Sequence, residues 1–113
     1  MYRGTTPNLY LELETDLDLA TASQIWLTIE SSLSVLNKDK KDINVRSTEE
    51  EGVQLLIVSL TQADTLRLTA GKARVQVRIL MPNGKAYSTE IGEIDVLKIL
   101  KEGVIADDDT GSE

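Results

Sequence analysis

The alternation over residues 72–81 constrains this chain more than any other stretch. Ala73, Val75, Val77, Ile79 and Met81 alternate with Lys72, Arg74, Gln76, Arg78 and Leu80. A period of two sustained over that length requires a strand with one face buried and one wet. The residues that follow, Met81-Pro82-Asn83-Gly84-Lys85, specify how the strand returns. Pro82 presets φ for the second position of a type I turn, Asn83 suits the third, and Gly84 supplies the positive φ of a bulged closure. That turn pairs Met81 with Lys85. The register then sets Ile79 against Tyr87, Val77 against Thr89 and Val75 against Ile91. On the other face it sets Arg78 against Ser88 and Gln76 against Glu90, with Arg74 and Arg78 diagonal to Glu90. Beyond Ile91 continued alternation would bury Glu93 and expose Ile94. Gly92 sits at the break, so the pattern is expected to reset there and return Ile94 and Val96 to the core.

The rest of the chain supplies the strands that cover this hairpin. Leu9, Leu11 and Leu13 alternate with Tyr10, Glu12 and Glu14 in a first strand, after a polar lead ending at Pro7. Residues 16–24 connect, with room for one helical turn after Thr21. Ile25, Leu27 and Ile29 form the core face of a second strand, which puts Trp26 on the outer face. A third strand is expected over 31–38, with Leu33 and Val35 in phase, and a short one over 43–46. Residues 53–60 are nearly all apolar, as in a central strand buried on both faces. Leu56 and Val58 lie on its second parity, where a partner subunit, the neighbouring sheet or a terminal segment can cover them. Thr61-Gln62-Ala63-Asp64 reads as a helix cap with a capping-box acid, and a single helical turn through Leu66 follows. A second turn is expected at 97–101, closed by Gly103. Residues 106–113 are acidic and small, and are expected to be a disordered tail. Short strands with turn signals between them point to one all-β domain over residues 1–105, a sandwich of two antiparallel sheets with about seven strands.

Composition narrows the chemistry. The 113 residues contain no Cys and no His. Disulfides, thiolate chemistry and a His-based triad are therefore absent. The net charge of −7 disfavours nucleic acid, whose phosphates need clustered Lys and Arg. No apolar leader marks a signal peptide, and the longest apolar run, 55–58, is too short to span a bilayer. Asp16, Asp18, Asp39, Asp42 and the run 107–109 match no EF-hand spacing and read as solvated loop carboxylates. Glu12, Glu14, Glu30 and Glu90 could form a glycosidase pair, but alternating carboxylates more simply make the wet face of a sheet. There is no glycine-rich phosphate loop. No catalytic, cofactor-binding or metal residue is assigned. Tyr10, Trp26 and Tyr87 could make a sugar-stacking platform. Tyr87 falls on the inward parity, which leaves Tyr10 and Trp26 as exposed aromatics that suit a protein contact equally well.

Several stretches together resemble small prophage-encoded proteins of Gram-positive bacteria. They are Tyr2-Arg3-Gly4-Thr5-Thr6-Pro7, Asp16-Leu17-Asp18-Leu19, Ile25-Trp26-Leu27-Thr28-Ile29, residues 60–66, residues 71–78 and residues 94–105. The pattern is also similar to the immunoglobulin-like N-terminal domain of phage baseplate upper proteins. That resemblance implies an immunoglobulin-like β-sandwich that serves as a structural or assembly module of a phage or prophage tail or baseplate. Its partners would be other virion or tail proteins, or further copies of itself, with no cofactor, nucleic acid or membrane. It would reside in the virion, or in the host cytoplasm during assembly. The candidate interaction surface comprises Tyr10, Trp26, Arg74, Arg78 and Glu90. A carbohydrate-binding module is the alternative.

Overall fold

The alternating stretches form eight strands in two antiparallel sheets, in a computed structural model that describes residues 1–107. The smaller sheet runs β1 (Asn8–Glu14), β5 (Val53–Ser59), β4 (Ile43–Ser47). The larger runs β3 (Val35–Lys38), β2 (Gln24–Glu30), β6 (Gly71–Leu80), and β6 carries both β7 (Ala86–Ser88) and β8 (Gly92–Val96) on its far side. With β7 and β8 taken as two halves of one strand, the order is that of strands B-E-D facing C′-C-F-G in an immunoglobulin-like sandwich. Short 3-10 turns at Leu19–Thr21 and Lys40–Asp42 and one helix, α1 (Gln62–Leu66), complete the described regular structure. No helix among the described residues is long and apolar enough to cross a membrane. The expected acidic tail lies, from residue 108 onward, outside the described residues.

The core follows from side-chain parity. Ile25, Leu27 and Ile29 of β2 and Ala73, Val75, Val77 and Ile79 of β6 face Leu56 and Val58 of β5. Each large aliphatic fully buried there contributes roughly 1.5–3 kcal/mol. The larger sheet therefore covers Leu56 and Val58. Leu55 and Ile57 point outward and are half-buried. Gln54, on the inward parity opposite Leu13, turns its amide to the connection before β2. Its Oε1 accepts from Leu19 N–H at 3.1 Å, and its Nε2 donates to Leu17 O.

Local sequence explains the corners. Thr61 caps α1 through a reciprocal capping box, with Thr61 Oγ1 accepting from Asp64 N–H at 3.1 Å and Asp64 Oδ2 from Thr61 N–H at 2.9 Å. Asp64 also pairs with Lys38 of β3 at 2.7 Å. The hairpin turn closes as its chemistry demands. Gly84, at φ +87°, donates to Met81 O at 2.9 Å, and Met81 N–H donates to Lys85 O at 2.9 Å.

Three expectations are corrected. Residues 31–34 form a turn rather than the start of β3. Ser31 N–H donates to Ser34 O at 2.9 Å, which sets Glu30 against Val35 and Ile29 against Leu36. The turn length fixes the phase, so Leu36 is buried while Leu33 is 87% exposed and Val35 lies on the outer face. No helical turn forms over 97–101. Leu97 uses its backbone in a parallel bridge, donating to Met1 O at 2.7 Å and accepting from Arg3 N–H at 3.0 Å. The polar lead is thus an anchor. Arg3 donates from Nη2 to Leu66 O and from Nε to Leu68 O, each at 2.8 Å, and its Nη1 donates to both carboxylate oxygens of Glu102, at 2.7 and 2.9 Å.

The third correction concerns the hairpin's return. Ile79 meets Tyr87 and Arg78 meets Ser88 as expected, but Val75 meets Gly92 instead of Ile91. One extra residue has entered upstream of Gly92. Thr89 causes the slip. Its N–H donates to Val77 O at 2.9 Å, while its hydroxyl, rather than its carbonyl, accepts from Val77 N–H at 3.0 Å. The Thr89 carbonyl accepts from Gln76 Nε2 at 2.9 Å. The bulge therefore sits at Thr89–Ile91, Gly92 is regular strand, and Ile91 is turned to solvent. Downstream the expected outcome holds: Val96 is buried and Ile94 packs against the core.

Candidate interaction surface

The outer face of the larger sheet collects most of the candidate residues. Antiparallel pairing of β2 with β6 sets Trp26 opposite Arg78, Thr28 opposite Gln76 and Glu30 opposite Arg74. Directly opposed side chains on one face are close enough to touch. Trp26 is 42% exposed and Leu80, on the same face, equally so. The bulge adds Ile91, which lines a shallow depression of about 190 Å³ with Thr28, Glu30, Arg74, Gln76 and Arg78.

Charges on this face are paired unevenly. Arg74 forms an ion pair with Glu30. Lys72 pairs with Asp95 at 2.7 Å. That hydrogen bond raises the Lys72 ammonium above its ordinary value and holds the Asp95 carboxyl below its own. Arg78 has no ion-pair partner among the described residues. The face thus presents an indole beside a free guanidinium, with Leu80 and Ile91 as further apolar area. Indole and guanidinium groups are the side chains that most often carry binding energy at protein contacts.

The structure does not gather all five candidates. Glu90 does not approach Arg74 and Arg78, because the bulge shifts it off their face. Tyr10 is 63% exposed on the outer face of the smaller sheet, opposite Ile57. Tyr10 and Trp26 therefore lie on different sheets and form no common platform. Tyr87 keeps its inward parity opposite Ile79 but is 39% exposed. Tyr87, Glu90 and the edge of β1 instead line a cleft of about 810 Å³ between the sheets. Sequence reasoning did not identify that cleft. The carboxylates Glu12 and Glu14 lie on β1, and Glu30 is taken up by Arg74, so the acidic side chains are spread over both sheets. No cluster of potential metal ligands occurs among the described residues. No protein-family model, curated protein or solved structure matches this chain.

Proposed function

We propose that the chain is a non-enzymatic structural or assembly module of a phage or prophage tail or baseplate, acting through protein–protein contacts. The observation that carries this reading is the Trp26–Arg78 pair on the outer face of the larger sheet, extended by Leu80 and Ile91. A rigid sheet holds these side chains in place, so little conformational entropy is lost when a partner covers them. The sequence resemblance supplies the context of tail and baseplate, and with it a location in the virion or, during assembly, in the host cytoplasm. For the carbohydrate alternative, Trp26 is the one aromatic of the three on the outer face of the larger sheet, whereas Tyr10 and Tyr87 both line the cleft between the sheets.

Co-expression with tail and baseplate proteins, followed by size-exclusion chromatography, tests the reading. A stable complex is expected, and Trp26→Ala should weaken it by about 2 kcal/mol, roughly 30-fold in affinity. A strictly monomeric protein that co-elutes with no tail, baseplate or capsid component overturns it. So does a glycan array on which the protein binds a sugar and Trp26→Ala does not.

A further inference from the structure

The two sheets meet along two seams, and among the described residues only one is closed by the chain itself. The Lys40–Asp42 turn carries the backbone from β3 to β4, and Lys40 N–H donates to Gln24 Oε1 at 3.1 Å. The other seam lies between β1 and the pair β7 and β8, and it opens into the 810 Å³ cleft. Its floor is core: Leu9, Leu11 and Leu13 from one sheet, Val75, Ile79 and Ile94 from the other. The three leucines are only half-buried although their parity is that of the core.

The rims of this cleft are unpaired backbone. Leu60 N–H donates to Pro7 O at 3.0 Å and Thr15 N–H to Gly52 O at 2.8 Å. Antiparallel alternation then turns the peptide groups of Tyr10, Glu12 and Glu14 away from β5. Opposite them, the bonds joining Met81 to Lys85 and Val77 to Thr89 leave the peptide groups of Ala86 and Ser88 facing outward by the same alternation. No strand among the described residues pairs with either rim across the cleft, and the lead covers the far edge only at Asp95–Leu97. Such an edge is a template for one more strand. The rims also share a sign. Glu12 and Glu14 stand on one and Glu90 and Glu93 on the other, and no Lys or Arg lines the cleft.

We infer that the open seam receives an extended segment of another protein, pairing with β1 and alternating apolar residues with Lys or Arg. The period-two alternation puts the apolar side chains into the cleft and the basic ones on the outer face beside Glu12 and Glu14. Charge argues against the other occupants. The chain's own residues 106–113 are acidic, and a second copy carries the same net charge of −7. β1 is 7 residues long, so an insert of about eight residues spans it. This surface is separate from the Trp26 face, and either can fail without the other.

The test uses a fluorescent, end-blocked peptide of about eight residues alternating lysine with valine, titrated by anisotropy against the whole chain. Saturable binding is expected, with new amide-exchange protection at Tyr10, Glu12 and Glu14. Combining Glu12→Lys with Glu14→Lys should weaken binding at least about tenfold, and Trp26→Ala should leave it unchanged. Both glutamates are exposed, and a thermal melt confirms that the double variant is folded. N-methylation along the peptide edge that faces β1 should abolish binding, whereas N-methylation along the other edge should spare it. Equal binding of the two methylated peptides would reduce the contact to charge alone and overturn the inference. Equal binding of a glutamate–valine peptide overturns it too, as does a symmetric dimer through β1 that excludes the peptide.

Discussion

The two seams of the sandwich are lined by the same kinds of aliphatic side chain and are left in different states. At the closed seam the chain crosses from β3 to β4 over a single short turn, and Leu36 and Ile43 on either side of it are buried. Ala22 O accepts from the Lys40 ammonium, so even the polar groups of the crossing are tied to the connection before β2. At the open seam Leu9, Leu11 and Leu13 line up on β1 with equally apolar character and remain half in water. Hydrophobicity is the same on both sides. The difference is that, among the described residues, one seam has a cover and the other has none, so the core residues of β1 stay half-buried.

A pair of alanine substitutions measures that contrast and should give the largest effects. Leu36→Ala removes a side chain that is 1% exposed and should cost about 3 kcal/mol in urea denaturation. Leu11→Ala removes one that already contacts water, and should cost only about 1 kcal/mol. Equal losses would mean that the cleft is collapsed in solution and that the two seams do not differ.

Asp64 offers a second, smaller contrast, because it fastens the β3 side of the molecule to α1. Burial alone would raise its carboxyl, but hydrogen bonds from Lys38 and Thr61 outweigh that and hold it below the ordinary carboxylate value. Asp64→Asn should cost about 1.5 kcal/mol at neutral pH through the weakened cap and the lost charge partner. A carboxyl whose value is depressed in the folded state stabilises fully above its unfolded value of about 3.9. That contribution disappears as the pH falls through the lower, folded value. The gap between wild type and variant should therefore be constant from neutral pH down to about pH 5 and narrow below about pH 4. A gap that persists in acid would show that the ion pair and cap contribute nothing through charge.

How much of this was legible in the sequence depended on whether local chemistry or tertiary arrangement decided the outcome. The hairpin turn, the capping box and the parity of Ile25, Leu27 and Ile29 are local, and the structure follows them. The parity of Trp26, Arg74 and Arg78 is local too, so the outer face was readable. The place of Glu90 was not, because a spacing of three between Ile91 and Ile94 signals a bulge without locating it. The Thr89 hydroxyl decided that, by taking the hydrogen bond a carbonyl would have accepted. The phase of β3 depended on the length of the serine turn, which apolar spacing does not report. The open seam was out of reach altogether, since alternation shows that β1 has a buried face but not that β1 is the last strand of its sheet.

The smallest predicted effect falls where the lead spans one end of the open seam. Residues 1–3 lie along Leu97 of the larger sheet, and Pro7 passes the chain to the smaller one. Gly4 makes the turn between them at φ +70°, where an added Cβ would stand 2.9 Å from Ile99 Cδ1. The left-handed backbone costs a residue with a Cβ about 1 kcal/mol, and the end of a flexible isoleucine side chain can give way. Gly4→Ala should therefore lower global stability by only about 1 kcal/mol and act mainly on the anchor. Amide exchange at Arg3 and Leu97 should quicken, while Leu36 and Ile43 across the molecule stay protected. If exchange at the closed seam quickens to the same degree, the two seams open as one unit, and the lead is part of the core's cooperative structure rather than a stitch at its margin.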